Sequence, residues 1–254
     1  MKKLPTLGIY GDSFASQLLP NLISWVDVLR ENYHIDNWAK SGSSVSYSYC
    51  RFKEFHINYD KNIFLVTHPL RRWISDLFEP SHPLWEYSFF SGVVDSENSL
   101  KYFQRYFPEN IRAVNTCKSM IDYYTYLQDD LIDLHSVASM VRHIRDLRPE
   151  TLLINAIPFN EELSDYVGHK HSLSDIYDLE NNALGLTREY LESIHDYRPC
   201  HFTEENNLIL GKKILEWLEE SKVTINLNDF HLPTDVKDFK NKYIRERTND
   251  YLGN

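Results

Sequence analysis

The chain has 254 residues, of which 42% are hydrophobic and 25% charged, with 27 Lys and Arg against 37 Asp and Glu. This length and composition are typical of a globular chain that buries a sizeable core in one large domain. The formal charge of −10 repels a phosphate backbone, so nucleic acid is not an expected partner. The 3 cysteines form no C-x-x-C pair, so neither a disulfide framework nor a cysteine-type zinc site is indicated.

The first part of the chain predicts alternating strands and helices. A buried strand at Thr6–Tyr10 ends at a Gly-Asp-Ser turn, and apolar residues at helical spacing follow in Gln17–Arg30. Two further strands are predicted at His34–Ala39 and Asn62–Thr67, and Pro69 stops the second of them. Such alternation predicts a parallel sheet that is covered by helices on both faces.

The rest of the chain contains one clear strand and several less regular segments. Residues 70–99 are rich in proline and aromatic residues and predict an ordered insertion, which a long helix over Ile111–Leu147 follows. Thr151–Ile157 predicts another buried strand, and Thr203 opens the last strong helix. From residue 224 onward the chain is charged and weakly patterned, which predicts a tail or arm.

Three positions near the ends of these elements have the residue types that acyl transfer needs. Ser13 follows the first strand on a turn, which would present its hydroxyl at the carboxyl edge of the sheet and its amide near the positive end of a helix. Gly42 follows the second strand and lets a backbone N–H approach a substrate oxygen. His201 lies just before the last helix, from where its imidazole would take a proton from Ser13. Asp12 is predicted to be a turn residue.

These segments resemble, in this order, the sequence blocks of the SGNH/GDSL hydrolase superfamily. The matching segments are Gly11-Asp12-Ser13-Phe14-Ala15, Asn37-Trp38-Ala39-Lys40-Ser41-Gly42 and His201-Phe202-Thr203-Glu204-Glu205-Asn206, with the strand Asn62–Thr67 in the place of the third block. The resemblance implies an α/β fold, a three-layer α/β/α sandwich with a short parallel sheet in flavodoxin-like order. The domain would span residues 1–222, with a helical insertion at about 70–148, a second insertion at about 159–195 and a C-terminal extension at 223–254.

The activity that the resemblance implies is that of a serine esterase without a cofactor. Ser13 would be the nucleophile and His201 the general base, and the amides of Ser13 and Gly42 would bind the oxyanion. The expected substrate is a small-molecule or carbohydrate ester, with an acetyl group on a sugar favoured. The aromatic residues between Trp73 and Phe90 would either form a wall of the binding site or a second hydrophobic cluster.

Two positions depart from the pattern of the family. The family's acid lies three residues before the histidine, where this chain has Arg198, so the orienting group would be Asp196 or a backbone carbonyl in a Ser-His dyad. The third block lacks its usual asparagine, so the hydroxyl of Thr67 or the imidazole of His68 would be the third oxyanion donor.

Both departures also fit a different class of protein. The alternative is a non-catalytic SGNH-like protein with a structural or binding role, for example a component of a phage particle, in which the C-terminal arm would make a homo-oligomer or assembly contact. A metal site at His169 and His171 lacks a third ligand at diagnostic spacing and is not expected. Without a long apolar segment, no membrane contact is expected, and the predicted location is the cytoplasm or a virion.

Overall fold

The computed structural model describes residues 3–16, 22–74, 89–90, 92–157, 167, 169, 171–187, 190–191, 194–196 and 198–246. The strands are β1 (Thr6–Tyr10), β2 (His34–Asn37), β3 (Lys61–Val66), β4 (Arg72–Trp73), β5 (Phe89–Phe90), β6 (Leu152–Asn155), β7 (Ile194–Asp196) and β8 (Ile244–Glu246). The helices are α1 (Trp25–Leu29), α2 (Val45–Phe55), α3 (Val93–Tyr106), α4 (Ile111–Asp122), α5 (Asp130–Leu147), α6 (Leu173–Ala183), α7 (Glu204–Glu220) and α8 (Val236–Tyr243). Within this part of the chain, no helix has the length and apolar character that crossing a membrane requires.

The centre of the fold is a four-stranded parallel sheet in the order β2-β1-β3-β6. The register pairs Ile9 of β1 with Asn37 on one side and with Ile63 on the other. Strands β1, β3 and β6 are almost entirely buried, which explains why they are continuous apolar runs rather than alternating ones. The predicted strands are therefore confirmed as a parallel sheet: β1 has the predicted bounds, β3 is shifted by one residue, and β2 and β6 are shorter than predicted by two and three residues.

Successive residues of β1, β3 and β6 contact two different hydrophobic clusters, one on each face of the sheet. Leu7 and Ile9 of β1 belong to a cluster that includes α1, α6 and α7. Tyr10, the next residue, packs with α2 and α5 on the opposite face. Helices thus cover both faces of the sheet, and the loops at the carboxyl ends of its strands lie between these two helical layers.

The insertion between β3 and β6 has a hydrophobic cluster of its own. Strands β4 and β5 form an antiparallel pair, and Phe90 is fully buried among residues of α3 and α4. Of the two hypotheses for the aromatic residues, Phe90 therefore belongs to a second hydrophobic cluster, whereas residues 75–88 lie outside the described part of the chain.

The prediction of a single long helix at Ile111–Leu147 is wrong. The helix α4 ends at Asp122 and is followed by a π-helical segment at Tyr123–Leu127. Gln128 is extended and α5 begins only at Asp130. Tertiary hydrogen bonds hold the break, since the hydroxyl of Tyr124 lies 2.9 Å from the carbonyl oxygen of Leu70 and 2.6 Å from that of Phe90. No helical periodicity reveals such contacts.

The segment that the sequence predicted to be an arm packs on the domain as far as residue 246. Val223, Ile225 and Phe230 belong to the main cluster, and β8 pairs with β7. In addition, Lys242 forms a 2.5 Å ion pair with Glu204 at the start of α7. Residues 223–246 are therefore packed against the domain and do not form the predicted arm.

We expect Gly211→Ala to destabilise the protein by about 2 kcal/mol, because α7 crosses α1 at this glycine. An added Cβ would lie 2.5 Å from the Cβ of Val28, and such overpacking outweighs the roughly 1 kcal/mol that alanine contributes through helix propensity. Urea denaturation measures the difference, with the exposed neighbour Lys212→Ala as the control, which we expect to stay within about 0.5 kcal/mol of wild type. Equal stability of the two variants would contradict the close approach of the helices.

Candidate functional site

The strand order identifies one edge of the sheet as the place where a ligand would bind. In the strand order β2-β1-β3-β6, the chain leaves β1 toward β2 on one side and leaves β3 toward β6 on the other. The loops after β1 and β3 therefore run in opposite directions. In open α/β sheets, ligands bind in the crevice at the carboxyl ends of the strands where the order reverses in this way. Ser13 lies in the loop after β1, and His68 lies in the loop after β3.

The loop after β1 is a tight turn that Asp12 organises. Its backbone oxygen accepts hydrogen bonds from the amides of Ala15 (3.0 Å) and Ser16 (2.9 Å), and its Oδ1 accepts one from the amide of Phe14 (3.1 Å). Asp12 is completely buried, which agrees with the predicted role of a turn residue. The turn leaves the side chain of Ser13, 9% exposed, at the edge of the sheet.

The carbonyl oxygen of Gly11 ties the loop after β2 to the nucleophile loop. It accepts hydrogen bonds from the amide of Lys40 at 3.0 Å and from the hydroxyl of Ser43 at 2.7 Å. Because these two donors flank Gly42, that glycine is held beside Gly11 with a φ of 72°, in the left-handed region. Asn37 adds a second tie between the same loops by donating to the carbonyl of Ala15 at 2.8 Å.

The backbone amides of Ser13 and Gly42 have no acceptor among the described residues. Within the described part of the chain, neither N–H donates a hydrogen bond to another protein group. An oxyanion hole requires such amides, since donors already bound to the protein would be unavailable to a substrate oxygen. The two predicted donors thus meet this requirement.

The two candidates for a third donor differ in their surroundings. The hydroxyl of Thr67 is fully buried and donates to the carbonyl of Ser43 at 3.3 Å, so its proton is engaged. His68 accepts a hydrogen bond from the amide of Leu70 at its Nδ1, at 3.2 Å, so the neutral ring carries its proton on Nε2. Burial, and secondly the charge of Arg71, lowers the pKa of His68, which favours that neutral form.

Arg71 neutralises the buried carboxylate beside the nucleophile. Its Nη1 lies 2.7 Å from the Oδ2 of Asp12 and 3.4 Å from the carbonyl oxygen of Ser43. Without this cation, the charge of Asp12 would oppose an oxyanion that develops at Ser13. Arg71 thereby joins the loops after β1, β2 and β3.

His201 packs directly beside the nucleophile loop. Its ring centroid is 4.9 Å from that of Phe14, the neighbour of Ser13, and 5.8 Å from that of Tyr177. Burial lowers the pKa of His201, while the charges of Asp196 and Asp12 act in the opposite direction. The imidazole is therefore neutral at pH 7, the form that a general base needs.

The backbone at His201 adopts an uncommon conformation. Cys200 and His201 have φ values of 51° and 70°. Residues other than glycine rarely adopt this left-handed backbone conformation, and those that do are found preferentially at functional sites. Cys200 packs in the main hydrophobic cluster, where burial raises the pKa of its thiol. It therefore anchors the turn that orients His201 and does not act as a nucleophile.

The structure does not bring Asp196 to His201. Its carboxylate binds Arg198 instead, with Nε 3.1 Å from both oxygens and Nη2 2.5 Å from Oδ2. Among the described residues, no hydrogen bond joins His201 to a carboxylate or to the hydroxyl of Ser13. The proposed acid thus acts on His201 only through its charge, and His201 contacts Phe14, the residue after Ser13.

Arg198 is the centre of a buried ionic network that sequence reasoning missed. It is 2% exposed, and its Nη1 lies 2.8 Å from the carboxylate of Glu180, which is completely buried. Glu180 also accepts hydrogen bonds from Thr203 and from Asn206, at the start of α7. Arg198 had been noted only as the residue where an acid was expected, and Glu180 lies in a segment without recognisable periodicity.

The two histidines considered as metal ligands have other contacts. His169 is hydrogen-bonded through Nδ1 to the carbonyl of His171 at 2.7 Å, and His171 lies 3.6 Å from Asp175. No cluster of three or more His, Cys, Asp or Glu side chains suited to a metal ion occurs in the residues that the structure describes.

Comparison with protein-family models gives no match for this chain, and comparison with curated proteins gives none either. The candidate site itself consists of groups at or near the carboxyl edge of the sheet: the hydroxyl and amide of Ser13, the amide of Gly42, the Nε2 of His68 and the neutral imidazole of His201.

We expect Arg198→Met to lower the free energy of unfolding by about 3–5 kcal/mol. Removal of the guanidinium would leave the carboxylate of Glu180 buried without a cation, which is the costly way to break an ion pair. The matched control is Lys213→Met, which breaks a 2.6 Å pair with Asp229 whose side chains are 29% and 32% exposed, and we expect it to cost less than about 1 kcal/mol. Similar midpoints of urea denaturation for both variants would show that the network does not hold the domain.

Proposed function

We propose that the protein is a serine ester hydrolase of the SGNH type, with Ser13 as its nucleophile and His201 as its general base. One observation carries the proposal. A neutral, partly buried imidazole packs on the neighbour of a serine at the carboxyl edge of a parallel sheet, and neither the amide of this serine nor that of Gly42 has an acceptor among the described residues. The strand order β2-β1-β3-β6 supports the flavodoxin-like sandwich that this family has.

The reaction proceeds through an acyl-enzyme in two steps. The Oγ of Ser13 forms a bond with the acyl carbon while its proton passes to His201. The bond from the acyl carbon to the alcohol oxygen then breaks, and His201 returns the proton to the leaving alcohol. In the second step water replaces the alcohol, and the acid is released from Ser13.

The negative charge that develops on the carbonyl oxygen has three donors in this proposal. The amides of Ser13 and Gly42 supply two of them, and the Nε2–H of His68 supplies the third in place of the family's asparagine. Thr67 then has a supporting role, since its hydroxyl holds the loop after β2 in position.

In this proposal Ser13 and His201 act as a dyad, which the position of Asp196 supports. Arg198 occupies the position of the family's acid and binds Asp196 itself. The orientation of His201 comes instead from its packing between Phe14 and Tyr177. This engaged acid is also the observation that favours the second candidate, a non-catalytic SGNH-like structural or binding protein.

We expect Ser13→Ala to abolish hydrolysis of 4-nitrophenyl acetate above the background rate, because it removes the atom that attacks the ester. Ser16→Ala is the matched control, since Ser16 lies in the same loop and its buried hydroxyl has no hydrogen-bond partner among the described residues. A fluorophosphonate probe followed by mass spectrometry would locate the covalent adduct on Ser13. Equal rates for wild type and Ser13→Ala, together with no adduct, would favour the non-catalytic candidate.

We expect kcat/KM for the same ester to rise with pH to a plateau, with a midpoint below about 6.5, the usual pKa of histidine. The sign follows from the lowered pKa of His201, because the imidazole is the active neutral base above its pKa and is protonated below it. Asp196→Asn removes a charge that raises this pKa, so the midpoint should move to lower pH. A loss of kcat of about 10⁴-fold in that variant, with an unchanged midpoint, would instead identify Asp196 as a triad acid.

A further inference from the structure

A cleft of about 280 Å³ lies next to the candidate oxyanion hole, on the side of the sheet that α2 and α5 cover. Its walls come from the start of α2, the loop after β3 and one face of α5. The residues that line it are Val45, Ser46, Pro69, Arg71, Arg72, Asp133, Ser136, Val137 and Met140. The four from α5 are spaced by three, one and three residues, as one face of a helix requires.

This cleft borders the loops that hold the residues assigned to catalysis. Val45 follows Gly42 by three residues, Pro69 follows His68 directly, and Arg71, which lines the cleft, bonds to Asp12 beside Ser13. We therefore expect a group attached to the reacting carbon to extend toward the cleft.

The cleft and His201 lie on opposite faces of the sheet. Phe14, which His201 contacts, belongs to the hydrophobic cluster of α1, α6 and α7, whereas Val45 and Val137 belong to that of α2 and α5. The leaving alcohol has to face His201, because it receives its proton from that ring. The cleft on the other side is left for the acyl part of the ester.

Asp133 lines the cleft and has one carboxylate oxygen without a partner. The residue is 6% exposed and its Oδ1 pairs with Arg72, whereas its Oδ2 is buried and accepts no hydrogen bond from the described residues. A buried carboxylate oxygen without a donor is costly. Arg71 offers the complementary groups, since only its Nη1 is hydrogen-bonded among the described residues, leaving Nε and Nη2 as donors.

We propose that this cleft binds the acyl part of the substrate and that Asp133 selects acyl groups that carry a hydroxyl. The hydroxyl would donate to the Oδ2 of Asp133 and accept from Arg71, while Val45, Val137 and Met140 contact the carbon chain. An amino group is disfavoured because its positive charge would meet both Arg71 and Arg72. The inference rests on the proposed esterase activity and replaces acetyl with a longer, hydroxylated acyl group.

The test compares three esters with one leaving group: 4-nitrophenyl acetate, butyrate and 3-hydroxybutyrate. We expect wild type to hydrolyse the hydroxybutyrate with a kcat/KM about tenfold or more above that of the butyrate, since a hydrogen bond to a charged group stabilises the bound acyl chain. Asp133→Asn should lower this ratio severalfold. A ratio near one in wild type would overturn the role of Asp133.

A second pair of variants tests the cleft without altering an ionic group. Ser136 and Ser139 are both exposed on α5, and the hydroxyl of each donates to the carbonyl four residues earlier, but only Ser136 lines the cleft. Ser136→Phe should lower the ratio of kcat/KM for butyrate over acetate about tenfold, whereas Ser139→Phe should leave it unchanged. Equal ratios in the two variants would place the acyl group elsewhere.

The outcomes separate the two proposals. Acetate hydrolysis that depends on Ser13, without preference among the acyl groups, would overturn the inference about the cleft and leave the esterase standing. Hydrolysis that Ser13→Ala does not reduce would overturn the esterase, and the assignment of the cleft with it.

Discussion

The arrangement of the site depends on the ion pairs that the buried guanidinium of Arg198 forms. This guanidinium joins Asp196 at the end of β7 to Glu180 in α6, and its Cζ lies 4.5 Å from the ring of Tyr177 and 5.1 Å from that of Phe239. Burial by itself lowers the pKa of this group, but Asp196 and Glu180 reverse the effect and raise it. The cation therefore stays charged in the interior and connects the elements that surround His201 and the C-terminal segment.

This network explains how a histidine can be held without an acid at its usual place. Tyr177 contacts both the guanidinium of Arg198 and the ring of His201. Cys200 fixes the left-handed turn through its packing in the main hydrophobic cluster. Packing and backbone conformation thus do what a hydrogen bond to a carboxylate does in a triad. In the proposed enzyme, the acid has become part of the scaffold and no longer belongs to the reacting groups.

A second constraint acts at the carboxyl edge of the sheet. One carbonyl oxygen, that of Gly11, accepts from donors on both sides of Gly42, and Arg71 connects Asp12 to Ser43. Three loops that are distant in sequence are thereby held together, while the amides of Ser13 and Gly42 donate to no other residue in the described part of the chain. The same arrangement opens the cleft beside Arg71, so the proposed oxyanion hole and acyl site have a common structural origin.

The buried strands could be predicted from the sequence because burial on both faces of the sheet requires a continuous apolar run. Thr6–Tyr10 is predicted to the residue, and Lys61–Val66 within one residue. The same patterns placed Ser13, Gly42 and His68 after parallel strands, which brings them to one edge in any such sheet. The sequence does not predict segments that are stabilised by contacts with residues distant in the chain. It gives no helical pattern for α6, and it predicts an arm where residues 223–246 pack on the domain.

The sequence by itself therefore determined the parallel sheet and which residue types lie at its carboxyl edge, since both follow from local apolar patterns and chain order. Only the tertiary structure decided which of these groups are free to act. Arg198 binds Asp196, the hydroxyl of Thr67 donates a hydrogen bond to the carbonyl of Ser43, and Arg71 neutralises Asp12. These pairings join residues across turns and between distant elements, and they depend on distance and burial, which no sequence pattern encodes.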